Sequence, residues 1–116
     1  MSSILEISIS QDDNKTMLVK LIGELDQISL KALKKELDEK RAEEMRTLVF
    51  DLAEVEFIAS AGLAIFVWYS NGFKKRGTGQ KLRVINCSEG VFRIFHMTML
   101  DEIIDVRSAD QKTGLI

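Results

Sequence analysis

Proline is absent from the 116 residues, and cysteine, histidine, tryptophan and tyrosine occur once each. The missing proline is unusual and by itself decides nothing. A single cysteine, Cys87, excludes an internal disulfide and fits a reducing, cytoplasmic setting. One histidine, His96, set among Phe95, Met97 and Met99, reads as packing at the core or its rim, not as a base or metal ligand. No cluster of ligands has the spacing of a metal site, and no nucleophile–base pair or cofactor loop is visible. Apolar runs long enough for a membrane span are missing. The start, MSSILEISIS, lacks the basic residues and long apolar centre of a signal peptide. Charge is nearly balanced, net −2, with no Lys/Arg cluster, so nucleic acid is not an expected partner.

What is present fits one domain, residues 1–116, able to bury a single core. Ile4, Leu5, Ile7 and Ile9 partly alternate with polar residues and predict a half-buried strand. Gln11 to Lys15 is turn chemistry, and Met17 to Ile22 a second strand, so the pair reads as an antiparallel hairpin. After Gly23-Glu24-Leu25-Asp26, Leu30, Leu33 and Leu37 recur at helical spacing, with Asp26 or Ser29 as the N-cap. This helix ends near 41–45, and a buried strand follows at Leu48–Leu52. Strand, helix, strand implies a parallel pair with a right-handed crossover. Lys81–Asn86 predicts another strand, and Ser88 caps a helix carrying Val91, Phe92 and Phe95. Met97–Leu100 reads as a loop, Ile103–Val106 as either a short strand or the lead-in to a last helix. The polar tail 108–116 reads as weakly ordered or a short helix. The order ββαβαβα predicts one α/β domain with a mixed four-stranded sheet and three to four helices.

The central stretch is 48–69, LVFDLAEVEFIASAGLAIFVWY. Asp51 and Glu54 open an expected loop to Ser60, and Ala61–Val67 read as the first turns of a helix running to about Lys74. Lys74-Lys75-Arg76-Gly77 supplies a basic last turn and a glycine stop. Ser60 is the expected N-cap, at the positive end of that helix's dipole, where a phosphate would be held favourably. At about 100° per residue, Leu63, Phe66, Val67 and Phe73 share the face toward the sheet. Ile65, Trp68 and Tyr69 lie opposite. Either the third helix or the C-terminal tail covers that second set, or it is a binding surface with aromatic anchors.

Ser60-Ala61-Gly62-Leu63 after a strand containing Asp, together with Gly23-Glu24-Leu25-Asp26 after the second strand, resembles the STAS domain of bacterial anti-sigma factor antagonists. That family's core is Asp-Ser-Ser-Gly-Leu or Asp-Ser-Ala-Gly-Leu, and here Ala59 holds the aspartate's position. The resemblance spans nearly the whole chain. It implies a regulatory binding module, not an enzyme, that sequesters an anti-sigma factor serine kinase and is switched off by phosphorylation at Ser60. A metal-dependent serine phosphatase is the further partner it implies. Glu24 and Asp26 would border the same surface as Ala59, Ser60, Ala61, Gly62 and Leu63. The alternative within the fold is a non-phosphorylated STAS subunit of a lipid-transport or sensory complex. Asp51, with Asp12 and Asp13, is a weaker match to a phospho-acceptor receiver domain, because that acidic pair sits in a hairpin turn.

Overall fold

The computed structural model describes residues 5–109. Five strands form one sheet in the order β1 to β5: β1 Glu6–Gln11, β2 Thr16–Leu25, β3 Thr47–Ile58, β4 Lys81–Cys87 and β5 Asp105–Ser108. The α-helices are α1 Gln27–Glu39, α2 Ala64–Arg76 and α3 Glu89–Met97. β1 runs antiparallel to β2, and every other neighbouring pair is parallel. The fifth strand is a correction to the expected four: of the two readings of 103–106, the strand prevails, two residues later in sequence. Most of the tail, residues 110–116, lies outside the described residues, as does Ile4.

The hairpin turn is closed by Asp12, whose Oδ1 accepts from the N–H groups of Asn14 (2.8 Å) and Thr16 (3.1 Å). After it the sheet grows by one neighbour per crossover. Right-handed crossovers that always step the same way place their helices on the same face. The burial agrees. Met17, Val19, Leu21, Leu48, Phe50, Leu52 and Val84 are buried and join the inner residues of all three helices in one core. Three rings form its centre, Phe50 of β3 edge-on to Phe66 of α2 at 5.0 Å, and Phe66 edge-on to Phe95 of α3 at 5.2 Å.

The opposite face carries charge. Lys20 pairs with Glu54 at 3.3 Å, and Asp105 takes both Arg83 and Arg107 at 3.1 Å. The cross-strand pairs Lys20–Glu54 and Arg83–Asp105 suit the solvated side of a sheet, and Arg107 joins Asp105 from within β5. Asp51 also lies there, in mid-strand, its Oδ1 accepting from Ala53 N–H (3.0 Å) and Asn86 Nδ2 (3.3 Å). It holds a strand irregularity and does not open a loop.

The expected loop from Asp51 to Ser60 is therefore overturned. β3 runs unbroken to Ile58, because β2 also continues and pairs with it: Gly23 with Val55, Glu24 with Phe57, Leu25 with Ile58. Register shifts after Lys20 and after Gly23 absorb extra β3 residues. Val55 and Ile58 are buried while Glu54, Glu56 and Phe57 are exposed, a spacing of three that hides the strand from a period-two reading.

Candidate functional site

Two strand-to-helix junctions stand side by side where β2 and β3 end. In the first, Asp26 N-caps α1, and its Oδ1 accepts from the N–H groups of Ile28 (3.0 Å) and Ser29 (2.9 Å). Ser29 Oγ accepts from Asp26 N–H at 2.9 Å and donates to the Glu24 carbonyl at 3.0 Å, completing a capping box. Both alternatives for the cap thus take part, Asp26 as cap and Ser29 as its reciprocal partner. The Ser29 N–H is the largest influence holding the Asp26 carboxyl below its ordinary pKa.

The second junction is built differently. Ala59 follows β3 in extended conformation and donates its N–H to the Leu25 carbonyl at 2.9 Å, tying the two junctions together. Ser60–Leu63 then form one turn of 3-10 helix, and α2 proper begins at Ala64. No side chain caps either the turn or α2. The expected N-cap role of Ser60 is therefore overturned: Ser60 lies inside the turn, exposed, and its Oγ has no hydrogen-bond partner among the described residues. The hydroxyl keeps its place at a helix entrance without a structural task.

Gly62 explains how the turn can be so close. A Cβ there would fall 2.5 Å from the Leu25 carbonyl oxygen and 2.9 Å from Leu25 Cγ. Its φ does not need glycine; the space does. Gly62 is buried, so it sets the geometry of the surface without being an accessible contact itself. Of the other motif residues, Ser60 and Ala61 are exposed, Ala59 and Leu63 half-buried. Glu24 is exposed and Asp26 half-buried beside them.

The aromatic surface needs a larger correction. Ile65 (2% exposed) and Tyr69 (1%) are core residues, and of the three expected anchors only Trp68, 47% exposed, meets solvent. The cover comes from α1, neither of the two covers expected. Ile65 lies in the floor of a groove between α1 and α2. Lys34 of α1 places its Nζ 4.0 Å from the centre of the Trp68 ring. Burial raises the pKa of the Tyr69 hydroxyl, with Asp38 and Glu43 adding to the shift, and that oxygen has no hydrogen-bond partner among the described residues. Two exposed apolar residues at these junctions stand outside the expected binding set: Ile28, 70% exposed in the first turn of α1, and Phe57, 50% exposed beside Glu24. Phe57 was the legible one, as the aromatic residue just before the Ser-Ala-Gly-Leu motif.

Cys87 is buried at the end of β4, and desolvation, helped by Asp51, pushes its thiol up to about 12, which makes it a packing residue. His96 is exposed, its Nδ1 2.8 Å from Asp101 Oδ2. Among the described residues no helix is long and apolar enough to cross a membrane, and no group of His, Cys, Asp and Glu is arranged to hold a metal ion.

The chain is similar to known proteins in sequence and in fold. The anti-sigma-B factor antagonist of Bacillus subtilis is 33% identical over 111 residues, 96% of this chain and 97% of that protein. The crystal structure of an anti-sigma factor antagonist from Mycobacterium paratuberculosis superposes with a TM-score of 0.74 at 26% identity, over 89% of this chain and 85% of that one. The Bacillus cell fate determinant SpoIIAA, solved in its phosphorylated form, shares the fold, with a TM-score of 0.67 at 13% identity over 91% and 95% of the two chains. Residues 6–112 match the STAS domain model, and the chain belongs to the STAS domain family.

Proposed function

We propose that this protein is an anti-sigma factor antagonist that binds an anti-sigma factor serine kinase through the surface around Ser60, and that phosphorylation of Ser60 ends the binding. The observation that carries this reading is the Ser60 hydroxyl, exposed and without an internal hydrogen bond at the entrance to α2. A kinase needs a hydroxyl it can reach, and a cap would have to be broken first. A phosphoserine there adds about 1.5 to 2 negative charges at the entrance to α2. The result is a local change of charge on a preformed surface, with no step that requires refolding. The names of the relatives support the role, and the phosphorylated form of SpoIIAA shows that a protein of this fold accepts phosphate.

The test is incubation with the purified anti-sigma factor kinase and ATP, read by intact mass, alongside calorimetric binding. One phosphate on the wild type, none on Ser60→Ala, and lost binding for Ser60→Asp are expected. An unphosphorylated wild type that still binds would favour the second reading, a STAS subunit whose serine is not a kinase substrate. Ala59 in the place of the family's aspartate favours that reading.

A further inference from the structure

The groove between α1 and α2 has about 560 Å³ of space and opens beside the Ser60 turn. Leu30, Ala64, Ile65 and Trp68 form its apolar lining. Its charges are ordered along its length. Lys31 is the nearest to Ser60, Lys34 and Lys35 follow near the middle of α1, and Asp38 and Glu39 stand at the far end. Lys34 is engaged twice, bonded to Asp38 at 2.7 Å and seated on Trp68. Lys31 and Lys35 have no ion-pair partner among the described residues, and neither has Glu39. One uncompensated cation thus flanks the apolar trough at the end nearer Ser60, a second stands at mid-length, and one uncompensated anion stands at the far end.

We infer that this groove is the seat of an amphipathic helix of the partner protein, its acidic end over Lys31 and Lys35, with the Lys31 side toward Ser60. The inference deepens the proposed function and rests on it. A trough lined by residues 30–39 of α1, a rise of about 14 Å, and by residues 64–68 at the start of α2 has the shape and length for two to three turns of a third helix. A small ligand would need to be enclosed on most sides to be held well, and this trough is open. The charge order selects the direction of the guest. It also supplies a reason for the switch: phosphate on Ser60 places its charge against the guest's acidic end and offsets the attraction of the lysines. Trp68 is the apolar anchor of the trough and the only tryptophan in the chain.

That single tryptophan makes the test direct. The protein is labelled with 5-fluorotryptophan, so that its fluorine resonance reports on Trp68 alone, and titrated with the anti-sigma factor kinase. A Trp68 shift on binding is expected, together with a loss of affinity of about tenfold or more in Lys31→Glu/Lys35→Glu. Binding that leaves Trp68 unmoved, or that the double variant retains in full, overturns the groove and leaves the proposed function standing. If the kinase does not bind at all, the proposed function fails, and two synthetic amphipathic peptides decide the groove. A shift with the glutamate-faced peptide and none with its lysine-faced counterpart supports it. Equal response to both, response to neither, or response only to phosphatidylglycerol vesicles overturns it.

Discussion

The two junctions at the end of β2 and β3 have the same topology and opposite local chemistry. At Asp26 the polar groups are drawn inward: an accepting carboxylate, a hydroxyl and three backbone N–H groups close on one another. At Ser60 the hydroxyl takes no part in holding the chain, and shape does the work instead, through a glycine pressed on Leu25. The difference shows how one fold separates stability from signalling. A serine that capped its helix would contribute about 1 kcal/mol and would have to surrender it on modification. A serine inside a 3-10 turn can gain or lose a phosphate while Gly62 and the Ala59–Leu25 hydrogen bond keep the turn in place.

Substitutions at the two junctions put that contrast at risk in a graded way. The largest effect is expected from Gly62→Ala, whose new methyl overlaps the Leu25 carbonyl. A loss of about 1–3 kcal/mol in denaturant unfolding should result, along with impaired partner binding. A variant as stable as the wild type would show that close packing does not hold the second junction. A smaller loss is expected for Asp26→Ala, read as a lower thermal midpoint, whereas Asp26→Asn should retain most of the cap. The two also differ in pH response. The Asp26 carboxyl titrates lower in the fold than its ordinary 3.8, so its stabilisation is present above that value and fades as pH falls through the folded pKa. Asp26→Asn should therefore lose less stability than the wild type between neutral and acid pH.

Beyond the second junction, on the inner side of α2, Tyr69→Phe removes a buried hydroxyl that no group satisfies. Stability equal to or slightly above wild type, by up to about 1 kcal/mol, is the expected result in the same unfolding assay. A clear loss would mean that the hydroxyl has a partner in solution. The smallest effect belongs to Ser60→Ala, expected within about 0.5 kcal/mol of wild type. A loss as large as that of Asp26→Ala would erase the distinction between the junctions, because it would give Ser60 the capping role that its geometry denies.

The features read correctly from sequence are those whose partners lie within a few residues. Asp26 with Ser29, Ser88 with the Val91 N–H at 3.2 Å, and Gly77 in left-handed conformation after a basic last turn all close over short distances. So does the hairpin turn that Asp12 holds. The candidate site was legible to the same extent: the Ser-Ala-Gly-Leu motif and its neighbour Gly-Glu-Leu-Asp could be found, since each is a local run. Their approach, with Gly62 against Leu25, depends on a parallel ladder between residues more than thirty positions apart.

Sequence by itself determined the alternation of strand and helix, the caps at Asp26 and Ser88, the Gly77 stop, and the serine at the entrance to α2, because hydrophobic period and capping act within one or two turns. Tertiary structure decided the rest. Pairing with β2 carried β3 through a polar stretch to Ile58, since a backbone ladder does not ask whether side chains are apolar. Packing of α1 on α2 buried Ile65 and Tyr69 and left Trp68 at the groove, a choice between two faces of one helix that periodicity cannot make. The turn at 60–63 became 3-10 because Gly62 could descend onto Leu25, and that descent left the Ser60 hydroxyl outside.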